Sequence, residues 1–245
     1  MDYIAIAIAP CIAICLYIFY KDIYNKEPRT HLFISFLLGA AAILPAIGIE
    51  RTFSQGLIDG SVGAVAVLAF IVVALTEESC KFAGLRLYSY NQKSFDEPLD
   101  GIVYSLMISM GFATAENIKY VIEHQQAAGT GLQIGLYRMF TAVPAHATFA
   151  VVMGYFVGRA KLEPGKSFGL LITGLFAAVL FHGTYDFLLM LYQFSYVGQE
   201  IGEGLLFAGA IISLIVALIL SRRLIRHHVV TSKQMFSEKK PEESA

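Results

Sequence analysis

The sequence predicts an all-α, polytopic helical membrane bundle of about seven transmembrane helices, with the N-terminus outside and the C-terminus in the cytoplasm. Three observations predict it. Of 245 residues, 56% are apolar and only 15% are charged, against roughly 25% charged in a soluble domain. Mean hydropathy is +0.62. Lys and Arg are gathered into short stretches between long apolar runs, which the net charge of −1 conceals. Together these exclude a disordered chain, a nucleic-acid-binding module and an ordinary water-soluble globule. The partner they imply is a lipid bilayer.

A bilayer core of about 30 Å needs about 20 apolar helical residues. Seven segments meet that length: about 3–20, 31–49, 62–85, 101–123, 135–158, 168–192 and 204–221. Their Gly and Ala content suits helices packed closely in lipid, and the ten-residue alternation of a membrane barrel is missing. The first segment has Asp2 but no N-terminal Lys or Arg and no convincing small-residue cleavage site, so it reads as a retained anchor. Cys11, Cys15 and Cys80 are too few and scattered for a disulfide framework and read as small apolar residues.

The connecting loops set the expected orientation. Residues 21–30 carry Lys21, Lys26 and Arg29; 86–100 carry Arg86 and Lys93; 159–167 carry Arg159, Lys161 and Lys166. The segment after 221 adds Arg222, Arg223, Arg226, Lys233, Lys239 and Lys240, whereas the alternate loops hold only Arg51. Fourteen cations against one is a strong positive-inside pattern. One helical domain is expected over 1–227, followed by a polar, disordered cytoplasmic tail over 228–245.

The remaining cations, Lys81, Lys119 and Arg138, lie inside spans or at their ends, with Glu77, Glu78, Glu116, His146, His182 and Asp186. A charge at mid-bilayer costs about 2.5–3.5 kcal/mol on insertion scales, so such groups are retained for pairing, water or a metal. In the third span, TEESCKF sets Glu77 and Lys81 four apart on one helix face, with Glu78 also within reach of Lys81. The plain reading is a surface pair where the helix meets cytoplasmic water. In the fourth, Glu116 of FATAEN is flanked by Ala and Thr, which surface solvation explains poorly. Lys119 and Tyr120 beside it read as interfacial snorkelling residues.

In the fifth span, AVPAHATFA carries His146, and Pro144 two residues earlier frees backbone carbonyls. In the sixth, FHGTYDF sets His182 and Asp186 four apart, so the carboxylate can fix the tautomer of the imidazole. A structural hydrogen bond is the plain alternative for each. The other histidines, His31, His124, His227 and His228, fall at interfaces, in an outer loop or in the tail. Glutamates, imidazoles and a lysine on four consecutive spans are the inventory of a site that activates water.

These clusters resemble the PrsW family of intramembrane proteases, relatives of the CAAX prenyl endopeptidase and bacteriocin-processing superfamily. The family pattern of EExxK, FxxxE, a His-bearing helix and HxxxD matches Glu77-Glu78-Ser79-Cys80-Lys81, Phe112 to Glu116, His146 with Gly154 beyond it, and His182 to Asp186. The match is in order, over about residues 70–190. The resemblance implies hydrolysis of a peptide bond in a single-pass membrane protein substrate, as in site-1 cleavage of an anti-sigma factor, and a bacterial cytoplasmic (inner) membrane.

Two mechanisms stay open on the residues. In one, Glu77 or Glu78 is the general base on a water beside Lys81, His146 and His182 stabilise the oxyanion or protonate the leaving amine, and Asp186 and Glu116 orient those imidazoles. In the other, His146, His182 and an acidic partner hold a zinc-like divalent ion. The HExxH spacing is absent, so spacing leans to the metal-free form. On straight helices with the boundaries above, Glu77 and Glu116 differ in depth by about 15 Å, which leaves Glu116 outside the site unless helices tilt or boundaries move.

A proton-coupled transporter would use the same buried groups, but predicts repeat symmetry between halves, and no repeat is evident. A b-type haem protein with His146 and His182 as axial ligands, and a non-catalytic scaffold, are further rivals. A Soret band would mark the first, and indifference to substitution of Glu77, Glu78 or His182 the second.

Overall fold

The computed structural model describes residues 2–57 and 59–239. Ten α-helices make up the described chain: α1 Asp2–Lys21, α2 Arg29–Phe53, α3 Val62–Val67, α4 Thr76–Leu87, α5 Pro98–Ala128, α6 Gly131–Phe140, α7 Ala142–Leu162, α8 Ser167–Phe194, α9 Tyr196–Ile201 and α10 Glu203–Lys239. An eight-residue π-helical segment, Leu68–Leu75, joins α3 to α4 without a break. Among the described residues, six helical stretches are long and apolar enough to cross a membrane. They coincide with six of the seven expected spans.

The exception is α5, and its position explains its composition. It is the central helix, packed against α1, α2 and α7, and residues 98–114 are all buried. A helix enclosed by other helices needs no lipid-facing apolar stripe, so it can carry Ser, Asn and Glu that a peripheral span cannot. The peripheral helices show large apolar side chains outward instead, such as Leu44, Phe176 and Ile212. Gly129, at φ +68°, ends α5 in the left-handed conformation that glycine adopts without penalty.

Close approach of α5 to α7 depends on small residues. A Cβ on Gly154 would meet the backbone of Gly101, and one on Gly158 would meet the carbonyl of Pro98. Gly154→Val is therefore expected to cost about 1–3 kcal/mol through overpacking, or roughly 2–12 °C in Tm. Gly169→Val, where a Cβ meets nothing within 4 Å, is the control in thermal unfolding of the detergent-solubilised protein. Equal effects at both glycines would remove the argument.

The boundary expected at 227 falls inside a continuous helix. α10 runs on to Lys239, with His228 and Ser232 buried and the His228 ring stacked on Tyr155 at 4.3 Å. The rest of the expected tail, 240–245, lies outside the described residues. Where α10 crosses the start of α5 it covers a group of buried acids, Asp22, Glu27, Glu97 and Asp100. Burial pushes the Glu97 carboxyl up to about 7, and Asp22 and Asp96 beside it act in the same direction.

Candidate active site

Local irregularities set several of the functional side chains. The π-helical turns before α4 wind wider than an α-helix and rotate Glu77 and Glu78 into the bundle; such segments recur at functional sites. Pro144 lacks the N–H that would bond the carbonyl four residues back. The rod is interrupted there at Thr141, between α6 and α7. His146 follows within the first turns of α7, and its carbonyl accepts a hydrogen bond from Ser109 Oγ of α5 at 2.9 Å. Gly183, next to His182, lies under the ring of Phe70, where a Cβ would clash. That absence of a side chain lets α8 bring His182 against the π segment.

The seven residues singled out in the sequence form one connected network. Lys81 Nζ donates to Glu77 Oε2 at 3.0 Å and to Glu78 Oε1 at 2.8 Å, and lies 3.2 Å from His146 Nδ1. His146 Nε2 is 2.9 Å from Glu116 Oε2. His182 Nδ1 is 2.8 Å from Glu78 Oε1, and its Nε2 is 3.1 Å from Asp186 Oδ2 and 3.9 Å from Glu77 Oε2. The partners define the His146 tautomer: Nδ1 accepts from the ammonium and Nε2–H donates to Glu116. Glu77, Glu78, Lys81, His146 and His182 are all buried. The Phe149 ring stacks on His182 at 4.8 Å, and Lys81 lies 4.2 Å from the centre of the Phe112 ring. The surface-pair reading of Glu77 and Lys81 therefore fails.

Depth ceases to be an obstacle because the boundaries move. α5 extends to Ala128, five residues past the expected end at 123, which puts Glu116 about 18 Å from that terminus. Glu77 lies fifteen residues from Val62, about 22 Å at α-helical rise and less through the π turns, where more residues fill each turn. The two carboxylates thus reach one level.

A cavity of about 240 Å³ opens among these groups, room for several waters. Glu77, Glu116, His146, His182 and Asp186 line it, with Phe112, Phe149 and Leu189 as apolar walls; Glu78 and Lys81 stand behind the wall. Several lining residues escaped the sequence reading of the site, among them Arg138, Tyr120 and Glu50. Arg138 pairs with Glu116 and donates to Asn117 Oδ1 at 2.6 Å. Tyr120, expected to snorkel, lines the cavity with Arg138 over its ring at 4.1 Å. Glu50 of α2 also lines it, with Oε1 buried and unpartnered. The only sequence signal for Glu50 was an acidic residue inside the last turn of an apolar helix, and its neighbour Arg51 disguised it as a loop residue.

The donor set suits a metal ion. One ligand atom from each of Glu77, Glu78, His146 and His182 lies within 4.8 Å of the others, and carboxylate with imidazole is a zinc-type combination. The Lys81 ammonium already neutralises one oxygen of each glutamate.

A family model described as "PrsW family intramembrane metalloprotease" matches residues 27–220. The chain is 36% identical over 187 residues to Protease PrsW of Bacillus subtilis (strain 168), covering 76% of this chain and 82% of that protein. It is 35% identical over 187 residues to Protease PrsW of Geobacillus kaustophilus (strain HTA426), covering 76% and 79%. With Protease PrsW of Clostridioides difficile (strain 630) the identity is 33% over 193 residues, covering 78% and 80%. No solved structure matches the chain.

Proposed function

The chain belongs to the PrsW family and is a multi-pass intramembrane protease, and we propose that the buried glutamate–histidine network is where it hydrolyses the peptide bond of a single-pass membrane protein. The observation that carries this reading is the cavity, which brings a carboxylate, two imidazoles and space for water together inside a helical bundle. Family membership favours this over a transporter built on the same groups.

Glu77 is the general base: it lines the cavity, whereas Glu78 does not. Its carboxylate takes a proton from a water held between it and His182, and the water oxygen bonds to the scissile carbonyl carbon. The rings of His146 and His182 line the cavity beside the developing oxyanion, and His182 hands a proton to the departing amine as the C–N bond breaks, resupplied by the proton that Glu77 took from the water. Glu78 and Lys81 position these groups, Lys81 by pairing with Glu77 and His146, Glu78 by fixing His182. Glu116 and Asp186 orient the imidazoles, and Arg138 anchors Glu116. His146, His182 and one of the two glutamates would hold a divalent ion such as zinc. The Lewis acidity of that ion, when bound, would add carbonyl polarisation and water activation.

Glu50, Lys119 and Gln193 are also on the cavity wall, near the helix ends on the side where only Arg51 is basic in the loops. That is the extracytoplasmic side by the positive-inside pattern. Cleavage at that side of a single-pass protein is site-1 cleavage, and an anti-sigma factor is the substrate class this fits. Co-expression with tagged single-pass candidates is expected to yield a cut near the extracytoplasmic membrane face with the wild type and none with Glu77→Ala or His182→Ala. Cutting unaffected by both substitutions would put the site elsewhere. Metal analysis of the purified protein, repeated on His182→Ala, decides whether the cluster carries an ion.

A further inference from the structure

We propose that the protein has a second metal site, distinct from the glutamate–histidine network, in which Asp22, Glu97 and Asp100 bind a hard divalent cation of the Ca²⁺ or Mg²⁺ kind. One carboxylate oxygen from each of the three lies within 4.8 Å of the others, and all three are buried. Twice a Ca²⁺–oxygen distance is about 4.6–5.2 Å, so the spacing fits one ion held in common. Asp22 follows the end of α1, Glu97 precedes α5 and Asp100 lies in its first turn, so the ion would tie the ends of two helices together.

The hydrogen bonding divides Asp22 and Asp100 each into a fixed oxygen and a vacant one. Asp22 Oδ2 accepts from the Glu27 N–H at 2.9 Å, and Asp100 Oδ2 accepts from the N–H groups of Asp96 and Glu97, both at 2.8 Å. Their other oxygens, Asp22 Oδ1 and Asp100 Oδ1, are buried without a close donor, and the Glu97 carboxylate meets only the Asp100 N–H, the Ser232 hydroxyl and Asp22 itself. Glu27, beside Asp100, repeats the pattern: Tyr104 donates to its Oε2, and Oε1 is buried and unpartnered. An independent element adds a neutral ligand. Ser232 of α10, fully buried, turns its hydroxyl to Glu97 and has no other partner.

Buried polar atoms are ordinarily paired, and buried carboxylates are paired or hold a metal. No protein cation fills the role here. Among the described residues, the ion pairs lie elsewhere. Of the neighbouring lysines, Lys161 donates to the Tyr90 carbonyl at 2.6 Å and Lys26 lies over the Phe19 ring at 5.1 Å. An all-oxygen, carboxylate-rich set selects a hard cation over zinc.

The test is thermal unfolding of the full-length protein in detergent, in EDTA and then in calcium or magnesium chloride. At a hundredfold excess over the dissociation constant, the wild type should gain roughly 5–10 °C. Glu97→Gln and Asp22→Asn should lose that gain yet unfold no lower than the wild type in EDTA, because each removes a buried charge without changing shape. A variant that merely misfolds would be lower in both conditions. His182→Ala, which damages only the other cluster, should keep the gain. No cation-dependent shift in the wild type would overturn the proposal. So would a shift that survives in Glu97→Gln and Asp22→Asn, or one that disappears with His182→Ala.

Discussion

Glu77→Gln is expected to lower kcat by about 10²–10⁴, the usual contribution of a positioned general base, or about 2.7–5.5 kcal/mol of transition-state stabilisation. KM and Tm should stay near wild type. The amide keeps the size of the carboxylate and still accepts a hydrogen bond from Lys81, so packing and pairing survive while proton acceptance does not. Glu78→Gln separates the two glutamates. Glu78 is behind the cavity wall and reaches it through Lys81 and His182, so its loss should be smaller. Glu77→Asp keeps a carboxylate, set back by one methylene, and should recover part of the rate. The measurement is single-turnover cleavage of a single-pass substrate in liposomes. A larger kcat loss in Glu78→Gln than in Glu77→Gln would exchange their roles.

The network was legible in the sequence because ionisable residues are conspicuous against apolar spans. Glu77, Glu78, Glu116, His146, His182 and Asp186 each interrupt a run of hydrophobic residues, and the cost of placing a charge there gives the interruption meaning. How the helices bring them together was not legible. It depends on the π turns before Glu77, the break at Thr141 and the true length of α5, and none of these follows from hydropathy. Glu50 was hidden by a neighbouring arginine at a span end.

The buried acids at the start of α5 were hidden more completely. Asp22, Glu27 and Glu97 sit in connections and Asp100 in a first helical turn, where charges are ordinary. Tertiary packing, with α10 over Glu97, removes them from water. Residues 228–239 read as tail because their composition is polar, yet the side chains that cover the acids are themselves polar, so composition carried no sign of burial.

Lys81→Met should have the largest effect on stability, because it withdraws the one ammonium from between two buried glutamates. Removing one partner of a buried ion pair costs about 3–5 kcal/mol, through the uncompensated charge left behind, which corresponds to a fall of roughly 6–20 °C in Tm. Cleavage should be lost as well, since Lys81 also holds His146 Nδ1. The double variant Lys81→Met/Glu78→Gln removes one stranded carboxylate and should recover about 1–3 kcal/mol of the lost stability while remaining inactive. That separates a charge-pairing role from a steric one: if Phe112 merely needed a long side chain against its ring, methionine would suffice and the double variant would be no more stable than the single. The same variant tests the donor set. With the ammonium gone, two carboxylates and two imidazoles still face one another, so added zinc should raise the Tm of Lys81→Met more than that of the wild type. Equal shifts in both proteins would mean that Lys81 and a divalent ion do not compete for the same oxygens.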